Sequence, residues 1–157
     1  MTHEGYKPYL EEYFGENVLM VFSDEPRGPS PIPFRQELEK VFEEENGYSI
    51  RKYLPYLLKN GDMPEDAAKA KYTWLDLCSR YFCKNYLLKE KEWTNNHQML
   101  FTGHFGGENS MFFGMDRAGY YNLMRSLRCF DVPGVDAIWR QIYPESKVKS
   151  KNDMNAY

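Results

Sequence analysis

Two short, unbroken apolar segments constrain the fold of this chain more than any other feature of its sequence. They are Val18–Phe22 and Met99–Thr102. Neither alternates between apolar and polar residues, a pattern typical of strands that are buried on both faces of a parallel sheet. The long segment between them has mainly helical periodicity, and parallel strands require a crossover of that kind. We therefore expect the two segments to be parallel neighbours in one sheet.

The rest of the chain is dominated by helical patterns. Apolar residues recur every three or four positions, and the predicted helices cover about residues 4–14, 34–46, 49–57, 64–93 and 117–128, with another beginning near 137. A third, weaker strand is predicted at Cys129–Val132, where Asp131 interrupts the apolar run. This alternation of helices and strands predicts an α/β fold with a parallel sheet.

The length leaves two architectures open. The chain has 157 residues, whereas a complete (β/α)8 barrel, or TIM barrel, needs about 250. Three predicted strands fit either a small open α/β domain or an incomplete barrel. In both architectures, functional residues lie at the carboxyl ends of the strands.

Charge and composition narrow the class of partner. The formal net charge is -3, which gives no basic surface of the kind that nucleic acid requires. No apolar run approaches the roughly 20 residues of a membrane span. Aromatic residues make up 17% of the chain, and their flat rings can stack on the apolar faces of sugars. We expect a carbohydrate partner and leave the oligomeric state open.

Cysteine and histidine spacings indicate no metal site. Cys78, Cys83 and Cys129 match neither a CxxC pair nor a zinc ribbon, so we interpret them as reduced structural thiols. The histidines lack a ligand spacing such as HExxH, so we expect no metal and no cofactor. The first residues have neither the basic nor the apolar region of a signal peptide. That leaves a cytoplasmic location, or export directed by a segment upstream of this chain.

The acidic segment Ser23-Asp24-Glu25-Pro26, which follows the first predicted strand, is the strongest chemical signal. A carboxyl group in a low-dielectric barrel mouth has a raised pKa, as a general acid requires. Because adjacent side chains of an extended segment point to opposite sides, only one of Asp24 and Glu25 should face a site. The plainer interpretation is a solvated acidic turn.

Two further loops follow predicted strands. The segment Gly103–Glu108 combines glycines, which allow close backbone approach, with His104 and Glu108. Its plainer interpretation is a flexible loop with a surface glutamate. Asp131 and Asp136 bracket Pro133-Gly134, and each could bind sugar hydroxyls or cap a helix. The aromatic candidates for a sugar platform in or after these loops are Phe105, Phe112, Phe113 and Trp139.

In this order, the segments resemble the catalytic barrel of alpha-L-rhamnosidase-type glycoside hydrolases. The resemblance covers about residues 1–143 and rests on four segments: Phe22–Pro26, Asn46–Pro55, Thr102–Glu108 and Asp131–Trp139. It implies a TIM-barrel glycosidase in which two carboxyl groups flank the glycosidic bond. It further implies Glu25 as the catalytic acid and Glu108 as its partner, with substrate binding by Asp24, His104, Asp131, Asp136 and Trp139.

Two departures from this family bear on substrate and activity. Ser49 stands where the family has an aspartate, and the Asp-Glu-Pro segment differs from the family's own acidic motif, which leaves the sugar open. We expect residues 1–143 to be part of a larger catalytic domain and residues 144–157 to be a polar tail or the start of the next connection. We also expect the chain by itself to be inactive.

Two other hypotheses remain beside a glycoside hydrolase. One is a non-catalytic carbohydrate-binding or scaffold remnant of such a barrel, which uses the same loops without turnover. The other is a small stand-alone α/β domain of unrelated function. The hydrolase hypothesis requires two carboxylates at the same end of the barrel, whereas the non-catalytic remnant tolerates their loss.

Overall fold

The computed structural model describes residues 2–28, 33–59, 61–106 and 122–135. Their helices and strands are α1 (Thr2–Leu10), β1 (Met20–Asp24), α2 (Gln36–Asn46), α3 (Leu54–Leu57), α4 (Glu65–Phe82), α5 (Leu88–Asn96), β2 (Leu100–His104), α6 (Leu123–Leu127) and β3 (Val132–Pro133). A π-helical turn, Cys83–Leu87, joins α4 to α5. The predicted long helix is therefore one rod over residues 65–96 that contains a π turn.

The three strands form one parallel sheet in the order β1-β2-β3. Met20 of β1 is opposite Leu100 of β2, and the register runs to Asp24 opposite His104. Thr102 of β2 is opposite Val132 of β3. The predicted parallel pairing of the first two strands is confirmed, although both strands end two residues later than predicted. Mixed helices and strands with a parallel sheet are consistent with the α/β class.

The core lies between one face of the sheet and the helices. Its largest fully buried side chains are apolar and come from α2, the 3₁₀ turn Ile50–Tyr53, α4, the π turn, and β2 with the residue on either side of it, namely Trp74, Phe42, Phe101, Phe105, Ile50, Leu77, Leu87 and Met99. Burying a large apolar side chain stabilises a fold by about 1.5–3 kcal/mol. This cluster therefore holds the sheet against the helices and sets the position of the strand ends.

The opposite face of the sheet is open to solvent along β1 and at Leu100, which corrects the expectation of burial on both faces for β1. In β2, the consecutive residues Phe101, Thr102 and Gly103 are all buried. Met20 and Phe22 of β1 are 47% and 59% exposed, and Leu100 of β2 is 45% exposed. The alternate residues Val21 and Ser23 are half-buried on the helix side. Among the described residues, helices thus cover only one face of the apolar strand β1.

Local backbone chemistry explains where α2 ends. Gly47 adopts a left-handed conformation with φ of +75°, and its N–H donates to the carbonyl of Glu43 at 2.8 Å. Glycine is the usual residue in this position because it has no Cβ to strain the left-handed backbone.

All three cysteines are buried and unbridged. Within the described ranges, no helix is both long enough and apolar enough to cross a bilayer.

Candidate functional site

The carboxyl ends of β1 and β2 bring Asp24 and His104 together. The two residues are opposite each other in the strand register, and Asp24 Oδ1 lies 2.8 Å from His104 Nε2. The Asp24 side chain is 77% exposed, whereas that of His104 is only 12% exposed. The pair therefore presents a carboxylate to solvent, while the imidazole that contacts it is mostly buried.

Phe22 lies on the same face of the sheet, two residues before Asp24. Its ring centroid is 5.7 Å from that of His104, and the side chain is 59% exposed. Because residues two apart in a strand share a face, an exposed ring lies beside an exposed carboxylate. Such a combination can stack on the apolar face of a pyranoside while accepting its hydroxyl hydrogens.

Glu25 leaves the strand through a strained backbone conformation. Its φ of +42° is uncommon for a residue with a side chain. Its N–H donates to the carbonyl of His104 at 3.0 Å, and its carboxylate pairs with Arg27. A Cβ added at Gly106 would collide with that carboxylate. Glu25 is thus turned toward the loop after β2 and does not project beside Asp24.

A second glycine lets the strand ends approach each other. A Cβ added at Gly103 would collide with the carbonyl oxygen of Ser23 on β1. On the other side, the N–H of Gly134 donates to the carbonyl of Gly103 at 2.8 Å. The sequence predicted that these glycines would admit a ligand, but the described contacts of Gly103 are with neighbouring strands.

Asp131, expected from the sequence to bind substrate, lies away from this edge. It precedes β3, and its carboxylate accepts a hydrogen bond from the N–H of Phe101 at 2.9 Å, near the start of β2. Lys91 Nζ lies 2.7 Å from its other oxygen. Burial raises the pKa of Asp131, but the Lys91 ammonium and the Phe101 N–H outweigh burial and hold the pKa below its ordinary value. The geometry thus gives Asp131 a structural role, because its oxygens are used to hold β2 and α5.

The other predicted site residues divide into two groups. Glu108, Asp136 and Trp139, as well as Phe112 and Phe113, lie outside the described residues. Phe105 is fully buried and packs against Phe130 with ring centroids 5.2 Å apart. It belongs to the core and cannot serve as a sugar platform.

Sequence reasoning missed Phe22 and Arg27 as members of the site. Phe22 was assigned to a strand buried on both faces, although counting by twos back from Asp24 places it on the same face. Arg27 stands two residues after Glu25, and only the turn at Glu25 brings the two charges together. That turn leaves no recognisable signal in the sequence.

Within the described ranges, no group of three acidic, cysteine or histidine side chains could hold a metal ion.

Comparison with protein-family models, curated proteins and solved structures found no match to this chain. The function must therefore be argued from the geometry at the strand ends.

Proposed function

We propose that this chain is part of a glycoside hydrolase catalytic domain of the (β/α)8 type and binds a sugar at the carboxyl ends of β1 and β2. The observation that carries the proposal is the pairing of Asp24 with His104 beside the exposed ring of Phe22. The carboxyl ends of parallel strands are where barrels and open α/β sheets build their sites.

Each group suits a hydroxyl-rich ligand. The Asp24 carboxylate can accept hydrogen bonds from two neighbouring hydroxyls, since each of its oxygens has spare acceptor capacity. The hydrogen bond between His104 Nε2 and Asp24 Oδ1 fixes the orientation of this carboxylate. Phe22 supplies an apolar surface for the sugar ring, on the same face of the sheet. The resemblance of the sequence to rhamnosidase-type barrels is the second support for the proposal.

Catalysis would require a second carboxyl group opposite the first. Separations of about 5–5.5 Å are typical of retaining glycosidases and about 6.5–9.5 Å of inverting ones. In the proposed mechanism Glu25 donates a proton to the leaving oxygen, and Glu108 is its partner. Asp24 binds the sugar and orients the loop.

The non-catalytic alternative is favoured by one observation. The Glu25 carboxylate pairs with Arg27 and lies against Gly106. A carboxylate that a guanidinium holds in this way is well suited to fix a loop or to accept a hydroxyl. In the alternative, the same site binds sugar without turnover.

Sugar binding is tested by titrating the chain with a panel of monosaccharides and aryl glycosides, rhamnosides included, and recording NMR chemical shifts. Phe22→Ala should weaken binding about fivefold, since an aromatic contact contributes on the order of 1 kcal/mol. Tyr9→Ala is the matched control, because Tyr9 is a more exposed aromatic residue on α1. Absence of binding by the unmodified chain, or equal effects of the two variants, would contradict the proposal.

Turnover separates the two candidates. Because we expect the chain alone to be inactive, the test uses a longer version in which the barrel is complete. If Glu25 is the general acid, Glu25→Gln in that version should lower hydrolysis of aryl glycosides about 10²–10⁴-fold while leaving binding nearly unchanged. Asp24→Asn should instead weaken binding. Sugar binding without hydrolysis by the longer version would favour the non-catalytic alternative, and hydrolysis that survives Glu25→Gln there would remove Glu25 from the mechanism. Robust hydrolysis by the 157-residue chain alone would contradict the expectation that it is only part of the catalytic domain.

A further inference from the structure

A small, mostly apolar cavity lies between α2 and the rod formed by α4 and the π turn. Its volume is about 420 Å³, within the range of about 300–1,000 Å³ that is typical of small-molecule sites. Leu38, Cys78 and Phe82 line it, and each is at most 9% exposed. Burial raises the pKa of the Cys78 thiol to about 12, so this side chain is a neutral, weakly polar group. The inner wall therefore favours an apolar ligand group.

The π turn shapes one side of this cavity. Such turns are rare, and they occur frequently at functional sites, where the extra residue alters which side chains face inward. Asn85 and Tyr86 of the turn line the cavity, together with Tyr81 of α4. Aromatic side chains in the wall suit a flat ring, because rings pack well in offset or edge-to-face contact.

Among the described residues that line the cavity, Arg35 is the cation that is available to a ligand. Arg35 and Glu37 both line the cavity. Glu37 lies in the first turn of α2, where the helix dipole favours a negative charge. Arg35 directly precedes α2 and forms no ion pair with any residue in the described ranges. A guanidinium in this position can bind a carboxylate through two parallel hydrogen bonds.

We propose that this cavity binds a small, flat aromatic carboxylate, with its ring against Tyr81, Phe82 and Tyr86 and its carboxylate at Arg35. The site is separate from the strand ends. Tyr86 lies near Ser23, which is half-buried on the helix side of β1, whereas Asp24, the next residue, points to the other side. The proposal therefore does not depend on sugar binding.

The test uses naphthoate and its neutral amide, naphthamide, as paired probes for the whole chain. In ligand-observed NMR, naphthoate should bind with a Kd below about 1 mM and more tightly than naphthamide. Arg35→Gln should weaken naphthoate about tenfold or more and leave naphthamide unchanged, because only the charge-assisted bond is lost. Lys84→Gln, an exposed cation of the same π turn, is the control and should change neither.

Filling the cavity tests its location. Cys78→Met should reduce binding of both probes at least tenfold while far-UV circular dichroism shows an unchanged fold. If that variant does not fold, Tyr86→Leu replaces it, since Tyr86 is 40% exposed, and it should weaken both probes. The proposal is overturned if naphthoate fails to bind, if naphthoate and naphthamide bind equally, or if a folded cavity variant binds both as tightly as the unmodified chain.

Discussion

At the scale of single residues, the clearest result concerns which carboxylates are free to act. Asp24 is mostly exposed and shares one bond with His104, whereas Glu25 pairs with Arg27. Asp131 has both oxygens in use, on Lys91 and on the backbone of β2. Three acidic residues that look alike in the sequence therefore have three different roles, which follow from their neighbours.

Asp131→Asn should lower the free energy of unfolding by about 1–2 kcal/mol near neutral pH, because Lys91 loses a charged partner. The pKa of Asp131 is held below its ordinary value in the folded chain. Its contribution is therefore complete above the unfolded pKa of about 3.9 and is lost as the pH falls through the lower folded value. Urea denaturation at a series of pH values measures the difference in free energy of unfolding between variant and parent. This difference should become smaller below about pH 4.

The control for this experiment is Glu92, which lies on α5, the helix that carries Lys91. Glu92 forms an exposed pair with Lys89 at 3.2 Å, and Glu92→Gln should change stability by less than about 0.5 kcal/mol. A difference for Asp131→Asn that stays constant from neutral to acidic pH would show that its charge is not what stabilises the fold.

At the scale of elements, the local spacing of apolar residues predicted the helices, and the long helical crossover between two unbroken apolar segments predicted the parallel pairing of the strands. Neither predicted which face of the sheet is covered. Val18–Phe22 is apolar throughout, so the order of its residues does not indicate which side chains face the helices. The prediction that Phe22 is buried is therefore wrong. The direction of Glu25 was equally inaccessible, because it depends on one positive φ angle and on the nearby Gly106.

The end of α2 offers a test of backbone conformation in isolation. A Cβ added at Gly47 would meet nothing within 4 Å, and the φ of +75° is the only obstacle to a side chain. Gly47→Ala should therefore destabilise the chain by about 1–2 kcal/mol through strain alone.

Gly5 is the matched control for that substitution. It lies inside α1, and an added Cβ would also meet nothing within 4 Å. Because its backbone is helical, Gly5→Ala should stabilise the chain by about 0.5–1 kcal/mol. Thermal unfolding of both variants should give shifts of opposite sign, and a shared sign would show that local conformation does not control these positions.

At the scale of the whole molecule, the main feature of the described residues is a parallel sheet with helices on one face and, on the other, exposed apolar side chains along β1 and at the start of β2. Parallel sheets are usually covered on both faces. Here Met20, Phe22, Leu100 and Val132 are all more than a third exposed, and the first three are close neighbours across the β1–β2 pair. Contiguous apolar surface of this kind commonly marks a place where another surface packs.

The open face should make the purified chain self-associate as its concentration rises, because pairing two such faces removes apolar area from water at about 25 cal/mol per Å². Sedimentation velocity across a concentration series measures this. The double variant Met20→Gln and Leu100→Gln should shift the chain toward monomer without unfolding it, since both side chains are already nearly half exposed. Leu58→Gln is the control: Leu58 is 79% exposed beyond the end of α3, away from the sheet, and its loss should leave association unchanged. A parent chain that stays monomeric throughout the series, or a double variant that associates as strongly as its parent, would show that this face does not drive contact between copies.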